Sequence, residues 1–176
     1  MKPTNEYYEN LAMQRITEAL LKLMEKYPFN EISILQITQE AQMARRTFYV
    51  YFDTKYDILT NYYTVLTKEY LANMSEKAKE SISEELEYFF SFWYRHRGYL
   101  KLLYDQGLFH ILMNRFSDYL SRDGKIYDEE VLNTYIIPYT SGGLWATLYT
   151  WTQRDFIDSP ENIAGWILQF QKIKTK

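Results

Sequence analysis

The chain contains no cysteine in its 176 residues. That removes disulfides, thiolate metal sites and cysteine nucleophiles together, and it fits a reducing compartment. No run of about 18 apolar residues is present, so no membrane span is expected. The opening residues, Met1-Lys2-Pro3-Thr4-Asn5-Glu6, are polar and hold no signal-peptide apolar region; the expected location is the cytoplasm. Net basic charge is also missing. The formal charge is −3 and the pI about 5.5, whereas a generic polyanion binder is usually basic. Within residues 1–60, seven Lys and Arg face eight Asp and Glu. A nucleic-acid surface here must therefore rest on where charge is placed. No nucleophile–base pairing, phosphate loop or paired-carboxylate signature occurs. His96 and His110, the two histidines, lack paired metal spacing, and the acids Asp128, Glu129 and Glu130 form a run that reads as a solvated helix start. These absences predict a chain that is not an enzyme and carries no cofactor and no metal.

What is present is helical in period. Hydrophobic residues make up 47% and charged residues 24%, a globular balance. Apolar positions recur at three and four residues, with no strand alternation, internal repeat or low-complexity tract. Residues 9–27 read as an amphipathic helix with Ile16, Leu20, Leu23 and Tyr27 on one side, ended by Pro28. Ser33 and Gln36 have the spacing of a capping box that opens a short helix to residue 41. After a turn at Gln42-Met43, residues 44–52 make a third helix with Phe48 and Phe52 on one side, and a fourth runs from Lys55 to about residue 74. Further helices are expected at 83–96, 108–121 and 128–154, the last bent at Pro138. Gly98 and Gly107 punctuate short segments and residues 121–125 form a loop. Ser159-Pro160-Glu161 reads as a cap, a first-turn proline and an early acid, opening the last helix.

Two short helices, a tight turn and a basic start to the second helix make a helix-turn-helix in outline. Such a unit lays its second helix in the major groove with its first residues toward base edges. Here those residues are Arg45, Arg46 and Thr47; arginine can bond a guanine edge bidentately. Tyr49 and Tyr51 can bond phosphates, which positions a protein without reading sequence.

The stretch from Ser33 to Leu59, SILQITQEAQMARRTFYVYFDTKYDIL, resembles the DNA-binding domain of the TetR family. Tyr49-Val50-Tyr51-Phe52, Lys55 and Leu59 carry the likeness, together with the preceding helix. The resemblance implies an all-α chain of about nine helices: a three-helix helix-turn-helix DNA-binding domain over residues 1–54, then a helical effector-binding and dimerisation bundle over 55–176. It implies DNA contacts by Ser33, Ile34, Ala44, Arg45, Arg46, Thr47, Tyr49, Tyr51 and Lys55. Three positions depart from the family pattern. Thr38 stands where Ala is common, Tyr51 where His is common, and Gln42 where Gly is frequent, so Gln42 is expected in a left-handed conformation.

The resemblance further implies a sequence-specific regulator, read first as a repressor, that acts as a homodimer on double-stranded DNA with a pseudo-palindromic operator. A small apolar or aromatic effector would release it; the alternative is control through a protein partner. Gly142, Ala146 and Thr150 fall four apart on one helix face, where small residues let another helix approach. With Ile163, Trp166, Ile167 and Phe170 of the last helix they form the expected dimer surface. Phe89, Trp93, Tyr104, Phe109 and Trp145 are the candidate effector-binding residues, with core packing as the competing role for each. His96, between Arg95 and Arg97, reads as a solvated helix end.

Overall fold

A computed structural model describes residues 5–74, 81–112 and 130–174. Among these the architecture is all-α: eight α-helices and one 3-10 turn, with no strand. The helices are α1 (Asn5–Met24), α2 (Ile34–Glu40), α3 (Arg45–Tyr51), α4 (Lys55–Ala72), α5 (Ile82–Arg95), α6 (Arg97–Asp105), α7 (Glu130–Gln153) and α8 (Pro160–Lys174). The chain divides into two compact units, Met1–Val65 and Leu66–Lys176, with the division inside α4.

In the N-terminal unit α1 packs on α2, and α2 on α3. Ala12, Ile16, Ala19, Leu20, Leu23 and Met24 form the buried side of α1, joined by Ile37, Ala41, Phe48, Phe52, Ile58 and Leu59. The expected stripe therefore holds through Leu23, but Tyr27 is 46% exposed. The reason is that α1 stops at Met24. Lys26 and Tyr27 both turn their N–H groups to the Leu23 carbonyl, which closes the helix before Pro28 is reached. A salt bridge from Lys22 to Glu40 joins α1 to α2 and holds the ammonium above, and the carboxylate below, their ordinary pKa values. Both groups are exposed, so it adds little stability.

The turn between α2 and α3 takes the form that its departure from glycine predicts. Gln42 has φ 54. Its N–H reaches the Gln39 carbonyl at 3.0 Å, and the Met43 N–H reaches Thr38 at 2.8 Å. This left-handed closure satisfies the last carbonyls of α2 and swings the chain into α3. Thr38 is buried, and its hydroxyl donates to the Leu35 carbonyl at 3.1 Å.

In the C-terminal unit α5 packs on α8 and α6 on α7. Its core is largely aromatic: Phe90 meets Trp151 edge to face at 5.8 Å, and Tyr94 stacks on Trp151 at 5.7 Å. The Trp151 indole N–H donates to the Asp158 carbonyl at 3.0 Å across the α7–α8 connection. Asp155 and Phe156 there both have positive φ, and the Phe156 ring is held against Trp151 at 5.1 Å. At the start of α8, the Asn162 N–H donates to the expected cap, Ser159 Oγ. Pro138 lies inside α7. Of the two glycines expected to punctuate, Gly107 does so with φ 68, whereas Gly98 lies within α6. The expected helix over 108–121 is described only to residue 112, and the loop at 121–125 lies outside the described residues.

His96 corrects its sequence reading. It sits at the α5–α6 junction with its ring 4.6 Å from Phe92 and its Nε2 3.7 Å from Glu69, and its side chain is only 20% exposed. Burial holds its pKa below 6.5, with Glu69 opposing that shift. Helix packing, invisible in a local Arg-His-Arg reading, encloses the ring.

Replacing Gln42 with Gly removes a side chain from a left-handed position and should raise unfolding free energy by about 1 kcal/mol. Urea titration of the two proteins checks this; an equal or lower midpoint would show that the turn carries no such strain.

Candidate nucleic-acid interface

The 3-10 turn Phe29–Glu31 leads into α2, whose start is fixed by a complete capping box. The Gln36 N–H donates to Ser33 Oγ at 3.2 Å, and Gln36 Oε1 accepts from the Ser33 N–H at 2.8 Å. Thr54 and Asp57 make a second such pair at the start of α4: Asp57 Oδ2 accepts from the Thr54 N–H at 2.7 Å and from its hydroxyl at 2.9 Å. The chain entering α2 and the chain leaving α3 are thus both tied to a helix end.

Within α3, Phe48 is fully buried. Two residues turn a helix by about 200°, so Arg46 and Val50, two before and two after Phe48, point directly away from the core. Arg46 is exposed, and Val50 is 70% exposed. On one flank Arg45 folds back along the helix, its guanidinium donating to the Tyr49 hydroxyl at 3.3 Å and lying 5.8 Å from the ring. Thr47 and Tyr51 lie half-buried on the other flank. Six residues of one short helix thus present an outward row with a basic lead and two flanks that end in hydroxyl groups. Ala44 caps the helix from outside, and Ser33 and Ile34 stand at the start of α2.

Lys55 has a different setting. Its ammonium donates to the carbonyls of Phe29, Asn30 and Ile32 at 2.5, 3.1 and 2.8 Å, and lies 4.6 Å from the centre of the Phe29 ring. Burial pulls its pKa below the usual 10.5. The three donors of the side chain are all engaged within the protein. The sequence shows Lys55 only as a charge at a helix start; its partners lie more than twenty residues away. Val50 is likewise absent from the sequence candidates, although counting the helical phase from Phe48 would have found it.

The candidate effector residues fall into two groups. Phe89 and Trp93 are buried in the α5 cluster. Phe109 meets Trp145 at 4.3 Å, and Tyr149, which sequence reasoning missed, links both to Tyr104. The Trp145 indole N–H is buried with no acceptor among the described residues. Of the candidate dimer residues, Gly142, Ala146 and Thr150 are exposed on α7. Trp166 and Phe170 are 54% and 55% exposed on α8, whereas Ile167 is half-buried and Ile163 buried in its own subunit.

The model of bacterial regulatory proteins of the tetR family matches residues 16–61, which span α1 to the first part of α4. The chain carries the TetR-family regulatory domain. The resemblance stated from Ser33 to Leu59 is thereby shown for this N-terminal domain, and it supports a transcriptional regulator. A solved structure described as the dihydroxyacetone kinase operon activator DhaS is similar with a TM-score of 0.61, over 93% of this chain and 95% of its own, at 17% identity; that likeness shows a shared fold. No curated protein matches the chain in sequence. No described helix is long and apolar enough to cross a membrane.

Changing Lys55 to Met keeps the apolar stem and deletes the donors; the Phe29 carbonyl keeps the Ile32 N–H, while the Asn30 and Ile32 carbonyls lose the ammonium. The expected loss of stability is about 1–2 kcal/mol, read by thermal or urea unfolding. An unchanged midpoint would show that the ammonium does not hold the 29–32 segment.

Proposed function

We propose that the protein is a cytoplasmic, homodimeric regulator that binds a pseudo-palindromic operator through α3 and acts by binding rather than by catalysis. The observation that carries this reading is the outward row of α3, with Arg46 at its lead and Arg45, Thr47, Tyr49 and Tyr51 on its flanks. Arginine suits a guanine edge, and the flanking hydroxyls suit the phosphates that line the groove walls. Lys55 serves this interface through the segment it holds.

A second copy supplies what one head lacks. A single seven-residue helix in a slightly acidic domain spans few base pairs. Two heads related by a two-fold axis read two half-sites about one helical turn apart. The exposed residues Tyr135, Tyr139, Gly142, Ala146 and Thr150 recur at helical spacing along α7, and Trp166 and Phe170 lie one turn apart on α8. Apolar surface of this extent favours a covering partner, and small residues along its centre favour close helix approach in a four-helix interface. We assign the effector to the Tyr104, Phe109, Trp145 and Tyr149 cluster, where an apolar or aromatic molecule with an acceptor would pair the Trp145 N–H. An effector acts by binding better to a dimer whose heads are wrongly spaced for the operator.

Repression needs only that the operator be occupied, so it is the first reading of the sign. Activation through a protein partner is the second, since the similar solved structure is described as an activator and the exposed aromatics of α7 and α8 could also serve such a contact.

Selection of bound sequences from a random DNA pool tests the proposal. The expected product is a two-fold symmetric site with half-sites about 10 base pairs apart, bound with steep salt dependence. Enrichment of asymmetric single sites would contradict the dimer, and no enrichment would contradict DNA reading.

A further inference from the structure

We infer that Val50 is a specificity residue, reading the 5-methyl group of a thymine within about two base pairs of the guanine that Arg46 reads. The inference deepens the DNA-binding reading above and rests on it. Val50 shares with Arg46 the side of α3 opposite the buried Phe48, one turn further along. When the core side of the helix faces its own domain, that opposite side faces the floor of the groove, while Arg45, Tyr49, Thr47 and Tyr51 face its walls.

The chemistry at that position is selective. Val50 can neither donate nor accept a hydrogen bond, so it cannot serve a phosphate or a polar base edge. The major-groove floor displays one apolar group, the thymine methyl. Valine is a weaker helix former than Lys, Gln or Glu, so its use at a 70% exposed site gains nothing for the helix itself. Its branched side chain holds essentially one rotamer in a helix, so its two methyl groups are fixed before contact. A half-site with guanine and a nearby thymine is the sequence signature this row specifies.

The test uses the full-length protein and operator duplexes drawn from its own selected sites. Each thymine is replaced in turn by uracil, which deletes the methyl group and nothing else. At one position per half-site, uracil should weaken the wild-type protein about fourfold, the worth of one buried methyl. The Val50→Ala protein should be indifferent to uracil at that position while keeping its sensitivity elsewhere. Circular dichroism should show its helix content unchanged, since the site is exposed and alanine favours helix. If every uracil affects the two proteins equally, Val50 does not read thymine and the inference falls alone. If the wild-type protein enriches no DNA at all, the DNA-binding reading falls first and takes the inference with it.

Discussion

The ammonium of Lys55 is the point on which the geometry of the N-terminal unit turns. It stands at the start of α4, where the helix dipole disfavours a cation, and burial lowers its pKa. Three carbonyls of the segment between α1 and α2, and the face of Phe29, offset that opposition. Phe29 is itself buried and meets Tyr56 edge to face at 4.8 Å. One side chain therefore ties the entry to α2 to the start of α4, and α3 lies between these two fixed points in the chain.

The orientation of α3 follows from constraints at both its ends. Gln42 turns the chain left-handed after α2, and the Thr54–Asp57 pair recaps it before α4. Phe48 and Phe52 then anchor one side of the helix in the core. With that side buried, the placement of Arg46 and Val50 away from the domain is dictated by helical phase. A protein of net charge −3 can thus present two arginines on an exposed helix start, because the seven residues of α3 set the local chemistry and carry no acidic group.

Much of this was legible in the sequence because it depends on local rules. The capping box at Ser33, the left-handed Gln42, the buried Phe48–Phe52 pair and the proline-led start of α8 each follow from residues within a few positions of one another, and the structure shows all four. What escaped was non-local. Lys55 looked like a charge free for phosphate, since its carbonyl partners are distant in sequence. His96 looked solvated between two arginines, yet α4 and Phe92 enclose it. The aromatic residues of the C-terminal half could be named but not sorted. Only packing separates the Phe89–Trp93 group from the Phe109–Trp145–Tyr149 group. Val50 is the exception: its position was local information, hidden because the neighbouring arginines and tyrosines suggested polar chemistry.

The proposed DNA reading requires that the side of α3 opposite Phe48 meet the base pairs. Guanine-N7 methylation interference on a selected operator, run with the wild-type protein and with Arg46→Ala, measures it directly. One guanine in each half-site should block the wild-type protein when methylated, and that interference should vanish in the variant while the remaining pattern persists. An identical pattern in both proteins would place Arg46 away from the bases and contradict the assignment.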